Sequence, residues 1–199
     1  MESRDKTSDE SGRVRQKART RQALVQTLQL LLAAGDDPSV ADVAEAAGIS
    51  RTTAYRYFPD QQALLQAAMP ETAASGLLPH GAGGDPVARL DATLVVHFDF
   101  IRRWEPQLRA ALRASLLPGA AEPSLRGGRA VRWYEDALSP LQTERPVIDV
   151  HDLAVRLRSV AGIESYVWLT DVGGVDRDRA CEIMRDNALA VLRVALGTG

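Results

Sequence analysis

The chain has 199 residues, with 24 Lys+Arg against 26 Asp+Glu, a net charge of −2, 45% apolar and 5% aromatic residues. This length allows one or two domains with a packed core, and the near-neutral charge excludes a polycation, so any nucleic-acid contact must be local. One cysteine, Cys181, excludes an internal disulfide or a cysteine-based metal cluster; no apolar run approaches the ~18 residues of a membrane span, no signal-peptide core is present, and the expected location is cytoplasmic.

In chain order, residues 1–12 are polar and of mixed charge, and composition predicts a disordered tail. Arg13, Arg15, Lys17, Arg19 and Arg21 follow with no acid between Ser11 and Gly35. They lead into a helix with Leu24, Val25, Leu28, Leu31 and Leu32 on one side, ending at Gly35. Its basic beginning is a candidate DNA-backbone arm, with Arg15, Lys17 and Arg21 as contacts.

Residues 39–58 read S-V-A-D-V-A-E-A-A-G-I-S-R-T-T-A-Y-R-Y-F. Ser39 is a natural N-cap, because its hydroxyl accepts from an orphan backbone N–H. Val40, Val43, Ala44 and Ala47 then fall on one helical face. Gly48 suits a helix end that needs positive φ, Ile49 plugs the turn, and Ser50 caps a second helix, Arg51 to Phe58. Ala54, Tyr57 and Phe58 share an arc that can bury. Arg51, Thr52, Tyr55 and Arg56 share the opposite, acid-free arc. Arginine pairs with guanine O6 and N7, a threonine methyl meets a thymine methyl, and a helix N-terminus attracts phosphate. Two short helices at a glycine turn, the second basic outside, form a helix-turn-helix.

The V-A-E-A-A-G-I-S turn, the T-x-Y-R-Y-F-P-D segment and Ala63-Leu64-Leu65 resemble the TetR family of bacterial transcriptional regulators over the first third of the chain. The resemblance implies that Thr53 and Tyr55 touch the DNA backbone and that Arg51 and Thr52 help to read bases. The full DNA-binding set is Ser39, Ser50, Arg51, Thr52, Thr53, Tyr55, Arg56 and Tyr57. Two positions depart from the family pattern. Gln61 stands where a phosphate-anchoring lysine is usual, and Ala54 where a larger aliphatic residue is.

Asp60 can cap a fourth helix, Gln61 to about Ala68. Prolines and glycines between residues 70 and 85 predict a loop and a boundary, so the domains expected are 13–68 for DNA and 69–199 for the rest. Asp85-Pro86 starts a helix with Val87, Leu90, Leu94, Phe98 and Ile101 in a stripe. Trp104-Glu105-Pro106 breaks it, and a helix with Leu108, Leu112 and Leu116 follows. Residues 117–128 read as a loop, Arg129 to Leu138 as a helix, and Ser139 to Pro146 as turns. Two long helices close the chain. Asp149 to Thr170 carries Leu153, Leu157, Val160, Ala161, Glu164 and Trp168 on one stripe. Asp176 to Leu196 carries Ala180, Ile183, Met184, Asn187, Ala188, Val191, Leu192 and Ala195, and Cys181 reads as a buried thiol. No strand alternation occurs, so the fold class is all-α: a helix-turn-helix domain plus a larger helical ligand-binding and dimerisation domain.

Periodicity alone fits the last two helices equally as core or as a four-helix interface between two copies; the TetR resemblance implies the homodimer. It also implies a small-molecule pocket, for which Phe98, Trp104, Trp133, Tyr134, Tyr166 and Trp168 are candidate lining groups, with His97 or His151 as polar contacts. Three dispersed histidines, no nucleophile motif and no phosphate loop predict no catalytic residues, no metal and no cofactor. The function expected is a ligand-responsive regulator, a repressor binding a palindromic double-stranded DNA operator and released by a small-molecule effector. The alternative is a helical module whose N-terminal hairpin contacts a protein partner.

Overall fold

The computed structural model describes residues 3–69, 76–116 and 129–197, with backbone alone for 3–11 and 129. All regular structure among these residues is helical. The chain divides into two compact units, Met1–Pro70 and Glu71–Gly199. The loop expected over 117–128 lies outside the described residues, as do residues 70–75 of the interdomain segment.

The first unit is built on α1 (Ser3–Ala33), against which α2 (Val40–Ala46) and α4 (Gln61–Ala68) pack, while α3 (Arg51–Tyr57) packs on α2. Leu24, Leu28 and Leu32 recur every four residues on α1 and are buried, with Val40, Val43, Ala44, Ala54, Phe58, Leu64 and Leu65 completing the core. Each buried leucine or valine contributes about 1.5–3 kcal/mol of transfer free energy. Gln29 Nε2 donates to the Ala68 carbonyl at 2.9 Å, tying α1 to the end of α4. The tail expected to be disordered differs: α1 extends back to Ser3. Gly12 and the Ser, Thr and Asp residues before it are weak helix formers, but no proline interrupts the segment. The packed downstream half meets the cost of nucleation, after which each upstream residue adds a bond.

The second unit contains α5 (Pro86–Arg103), α6 (Glu105–Ser115), α7 (Arg129–Leu138), a one-turn α8 (Leu141–Glu144), α9 (Val150–Val160), α10 (Ile163–Val167) and α11 (Arg177–Leu196). Asp85 caps α5, accepting from Ala88 N–H at 2.9 Å, with Pro86 in the first turn. Asp176 caps α11, which ends at Gly197 in the left-handed conformation. The core joins Leu90, Leu94, Phe98 and Ile101 of α5 to Tyr134 and Leu138 of α7, Leu153 and Leu157 of α9, and Met184, Ala188 and Leu192 of α11. Cys181 is buried beside them. Arg89 closes the C-terminal end of α7, donating to the Ala137 and Asp136 carbonyls at 2.8 and 2.7 Å, where orphan acceptors and the helix dipole favour a cation. Arg185 grips Asp91 with two bonds of 2.5 and 2.7 Å, pinning α11 to α5.

Four expectations for this unit are corrected. The helix expected from Asp149 to Thr170 breaks at Ala161–Gly162, resumes as α10 and ends in a π-helical turn, Trp168–Val172. The Arg158–Glu164 ion pair, 2.8 Å long, crosses Gly162, where a Cβ would stand 1.5 Å from Arg158 Nη1. The break shifts the register, so Ile163 and Tyr166 are buried while Trp168 is 59% exposed and Glu164 is half-buried. On α6 the leucine stripe is only partly inward: Leu108 and Leu112 are half-buried, Leu108 against the core. Glu105, Gln107, Ala110 and Ala111 are buried, and Leu116 is exposed. Small alanines admit α10 closely, and Glu105 is drawn inward by its partners there. The segment from Ser139 to Pro146 contains α8, because Pro140 holds a helical φ and Leu141 inserts into the core. On α11, Asn187 and Ala195 of the expected stripe are exposed and Leu189 is buried instead.

Candidate nucleic-acid interface

The helix-turn-helix is held by local chemistry. Ser39 and Asp42 form a capping box: Ser39 Oγ accepts from Asp42 N–H at 3.2 Å, and Asp42 Oδ2 accepts from Ser39 N–H at 2.8 Å. Gly48 takes φ +66° at the turn, a conformation open to glycine without Cβ strain. Ser50 Oγ accepts from Thr53 N–H at 3.3 Å and donates to Thr53 Oγ1 at 2.9 Å, which ties both hydroxyls at the start of α3. Asp60 Oδ1 accepts from Ala63 N–H at 2.7 Å and caps α4.

These caps aim the outer face of α3. Arg51, Thr52, Tyr55 and Arg56 are exposed, Thr53 and Tyr57 half-buried, and Ala54 and Phe58 buried. Ser39 and Ser50 are exposed as well, and both also serve as caps. The Arg56 guanidinium lies 5.8 Å from the Tyr57 ring centroid, and that of Arg21 lies 5.4 Å from the Phe58 ring. Arg21 thus packs α1 onto the end of the recognition helix through its planar cation. Arg15 and Lys17 are exposed on α1, two and one turns before it.

Two features of this face escape the sequence reading. Arg51 Nη2 lies 3.5 Å from Glu45 Oε2 of α2, so an acid from the neighbouring helix stands against the acid-free arc of α3. The signal available was spacing: Asp42 and Glu45 stand three residues apart on the exposed side of α2. Gln61, in the place of the usual lysine, turns inward and donates through Nε2 to the Pro38 carbonyl, tying α4 to the loop before α2. Its Oε1 is buried without a partner.

In the second unit, Phe98, Trp133, Tyr134 and Tyr166 are buried and Trp104 is half-buried. His97 joins three of them. Its ring meets Trp133 edge-on at 5.4 Å, Tyr134 at 5.7 Å and Phe98 at 6.1 Å. Its Nδ1 is 2.7 Å from the Tyr134 hydroxyl, which lies 3.5 Å from the Ala161 carbonyl at the helix break. Burial, with help from the Arg158 charge, lowers the His97 pKa to about 3, and burial raises that of Tyr134. His151 is instead exposed and paired with Glu135 at 2.6 Å.

Tyr166 and Trp104 flank a different cluster. Glu105 accepts from Arg109 Nε and Arg177 Nε, both at 2.9 Å, and from the Tyr166 hydroxyl at 3.2 Å. Burial pushes the Glu105 carboxyl up, but the two arginines outweigh it and hold the pKa below the usual value. Arg109 also binds Asp171 in bidentate fashion at 2.6 and 2.8 Å, which lowers that carboxyl to about 2. Two carboxylates and two guanidiniums balance, an ion-pair network that closes α6 on α10 and α11.

Two concavities open on this unit. One, of about 570 Å³, lies between α9 and α11 and is lined by Leu153, Val160, Val191 and Val194 with Asp152 and Arg156. The other, of about 510 Å³, lies over the Glu105 network. None of Phe98, Trp104, Trp133, Tyr134 or Tyr166 lines either. Among the described residues, no group of three or more His, Cys, Asp or Glu is placed to hold a metal, and no helix is long and apolar enough to cross a membrane.

Residues 24–68 match the family model described as bacterial regulatory proteins, tetR family. No curated protein matches the chain. The match spans the last third of α1 and all of α2, α3 and α4, and so takes in the caps, the Gly48 turn and the exposed face of α3. The matched segment is a DNA-binding domain of the tetR-family type, and it marks the chain as a DNA-binding transcriptional regulator.

Proposed function

We propose that the protein is a dimeric, ligand-responsive repressor that binds a palindromic operator and is released from it by a small-molecule effector. The observation that carries the reading is the exposed face of α3, where Arg51, Thr52, Tyr55 and Arg56 stand together on a helix fixed by Ser50 and Gly48. Arg51 and Thr52, at the leading end, read base edges in the major groove. Ser39, Ser50, Thr53, Tyr55, Arg56 and Tyr57 hold phosphates and set the register. Arg15, Lys17 and Arg21 on α1 contribute backbone contacts whose strength falls with salt.

A dimer is favoured by the groove between α9 and α11. Val155 and Val194 on these helices are 45% and 74% exposed, and Val160 and Val191 line the groove itself. A dimer through such a face carries two α3 helices, one per subunit, and the operator half-site spacing follows from their separation. The effector is read as an uncharged aromatic or aliphatic molecule that opens a space among Phe98, Trp133 and Tyr134, which pack around His97, with Trp104 and Tyr166, beside the Glu105 network, as further candidate contacts. The His97–Tyr134 pair is the polar handle within that apolar cluster. An effector releases DNA only to the extent that it binds the released conformation better. The protein acts as a regulator and not as an enzyme, and works in the cytoplasm.

The test is a gel shift of the full chain on the DNA flanking its own gene, with random DNA as competitor, at two salt concentrations. A discrete, competitor-resistant shift that weakens with salt is the expected result. No shift there, and no enriched site in a selection from random duplexes, would overturn the reading.

A further inference from the structure

Glu45 is the one acidic side chain within ion-pair distance of the α3 face among the described residues. It is 76% exposed, its partner Arg51 is 67% exposed, and Oε2 and Nη2 are 3.5 Å apart. Asp42, one turn earlier on α2, lies close enough to feel the same guanidinium. Its carboxyl is held low by hydrogen bonds with Ser39 first and by the Arg51 charge in smaller part. Asp42 is committed to the capping box, whereas the Glu45 carboxylate meets Arg51 on the next helix. An ion pair this exposed contributes little to stability, so the fold does not account for it.

Resting on the DNA-binding reading above, we infer that Glu45 is a positioning residue that confers sequence discrimination through Arg51. A guanidinium carries five N–H donors in a fixed fork. Glu45 meets one terminal nitrogen of that fork, Nη2, at 3.5 Å, and the side chain stays 67% exposed. A phosphate is attracted chiefly by net charge, and a neutralised arginine offers it little. A guanine edge offers two acceptors, O6 and N7, that the other donors of the fork can still meet. Pairing with Glu45 therefore weakens Arg51 on any random duplex more than it weakens Arg51 on its own base. The acid on α2, the helix that crosses the DNA backbone in this motif, lowers non-specific affinity and keeps the specific contact.

The experiment uses the full chain. A duplex is selected from a random library with the unaltered protein, and its affinity and that of a random duplex are measured across a salt series for Glu45→Gln and Glu45→Ala. Both variants are expected to bind random DNA roughly 3- to 10-fold more tightly, with a salt dependence steeper by about one ion. The selected duplex is expected to gain less, so the specificity ratio falls. In an Arg51→Gln background, Glu45→Gln is expected to change neither quantity. An unchanged ratio and slope in both single variants, with folding verified by thermal melting, would overturn the inference while leaving DNA binding intact. Equal tightening in the Arg51→Gln background would also overturn it, since Glu45 would then act on phosphates directly. Absence of salt-weakened binding by the unaltered protein to every duplex would overturn the DNA reading and this inference together.

Discussion

His97 is the residue whose environment departs furthest from what its position in the sequence suggests. On α5 it was a candidate polar contact; in the fold it is buried, with its Nδ1 on the Tyr134 hydroxyl. Its folded pKa of about 3 lies below the reference value of 6.5. The unfolded chain therefore carries the extra proton between those values, so stability is full above pH 6.5 and is lost as the pH falls toward 3. His151 has the opposite sign. Its pKa is raised, by the hydrogen bond to Glu135 first, so its contribution is present below pH 6.5 and is lost as the pH rises through its folded pKa. His97→Gln keeps a polar group for Tyr134 and leaves His151 unchanged. It is expected to flatten the acid limb of an unfolding free-energy profile, from denaturant titrations, by about 2 kcal/mol between pH 6.5 and 5; a limb parallel to that of the parent would refute the burial argument. Tyr55, 46% exposed on α3, is assigned to phosphate. Tyr55→Phe is expected to weaken operator and random DNA alike, by about 0.5–1.5 kcal/mol, as fluorescence anisotropy on both duplexes would show.

At the scale of elements, the helices of the first unit were legible because their ends are written locally. Ser39, Ser50 and Asp60 each reach a backbone N–H three residues on, and Gly48 supplies its own positive φ. Gly48→Ala meets no atom within 4 Å of its new Cβ, so its cost is backbone strain alone, about 1–2 kcal/mol. Chemical denaturation followed through the first unit should show that loss, and a value near zero would mean that the turn relaxes. The broken helix of the second unit was not legible. Its residues favour one continuous helix, and the break at Gly162 depends on Arg158 meeting Glu164 across it and on Tyr134, from another helix, beside the Ala161 carbonyl. The register of α6 was hidden for a similar reason. Its leucines outweigh its alanines in any count of apolarity, yet Tyr166 and Arg177, 61 and 72 residues away, place Glu105 inward.

For the whole molecule, the proposed two-fold face makes a prediction of its own. Val194→Asp puts a charge on an exposed position of α11, where the lone unit tolerates it. It is expected to shift sedimentation from dimer to monomer and to reduce operator affinity together; an unchanged dimer would move the interface elsewhere. The sequence by itself determined the helical class, the capped and glycine-turned reading domain, and the residues of α3 that face outward, because caps, turns and helical periodicity act over three or four residues. The tertiary structure alone decided that Glu45 meets Arg51, that Gln61 is spent on the Pro38 carbonyl, that His97 is buried neutral, and that one long helix becomes α9 and α10. Each of these depends on groups from separate elements meeting at hydrogen-bond or ion-pair distance, and such pairings are set by packing that no local pattern encodes.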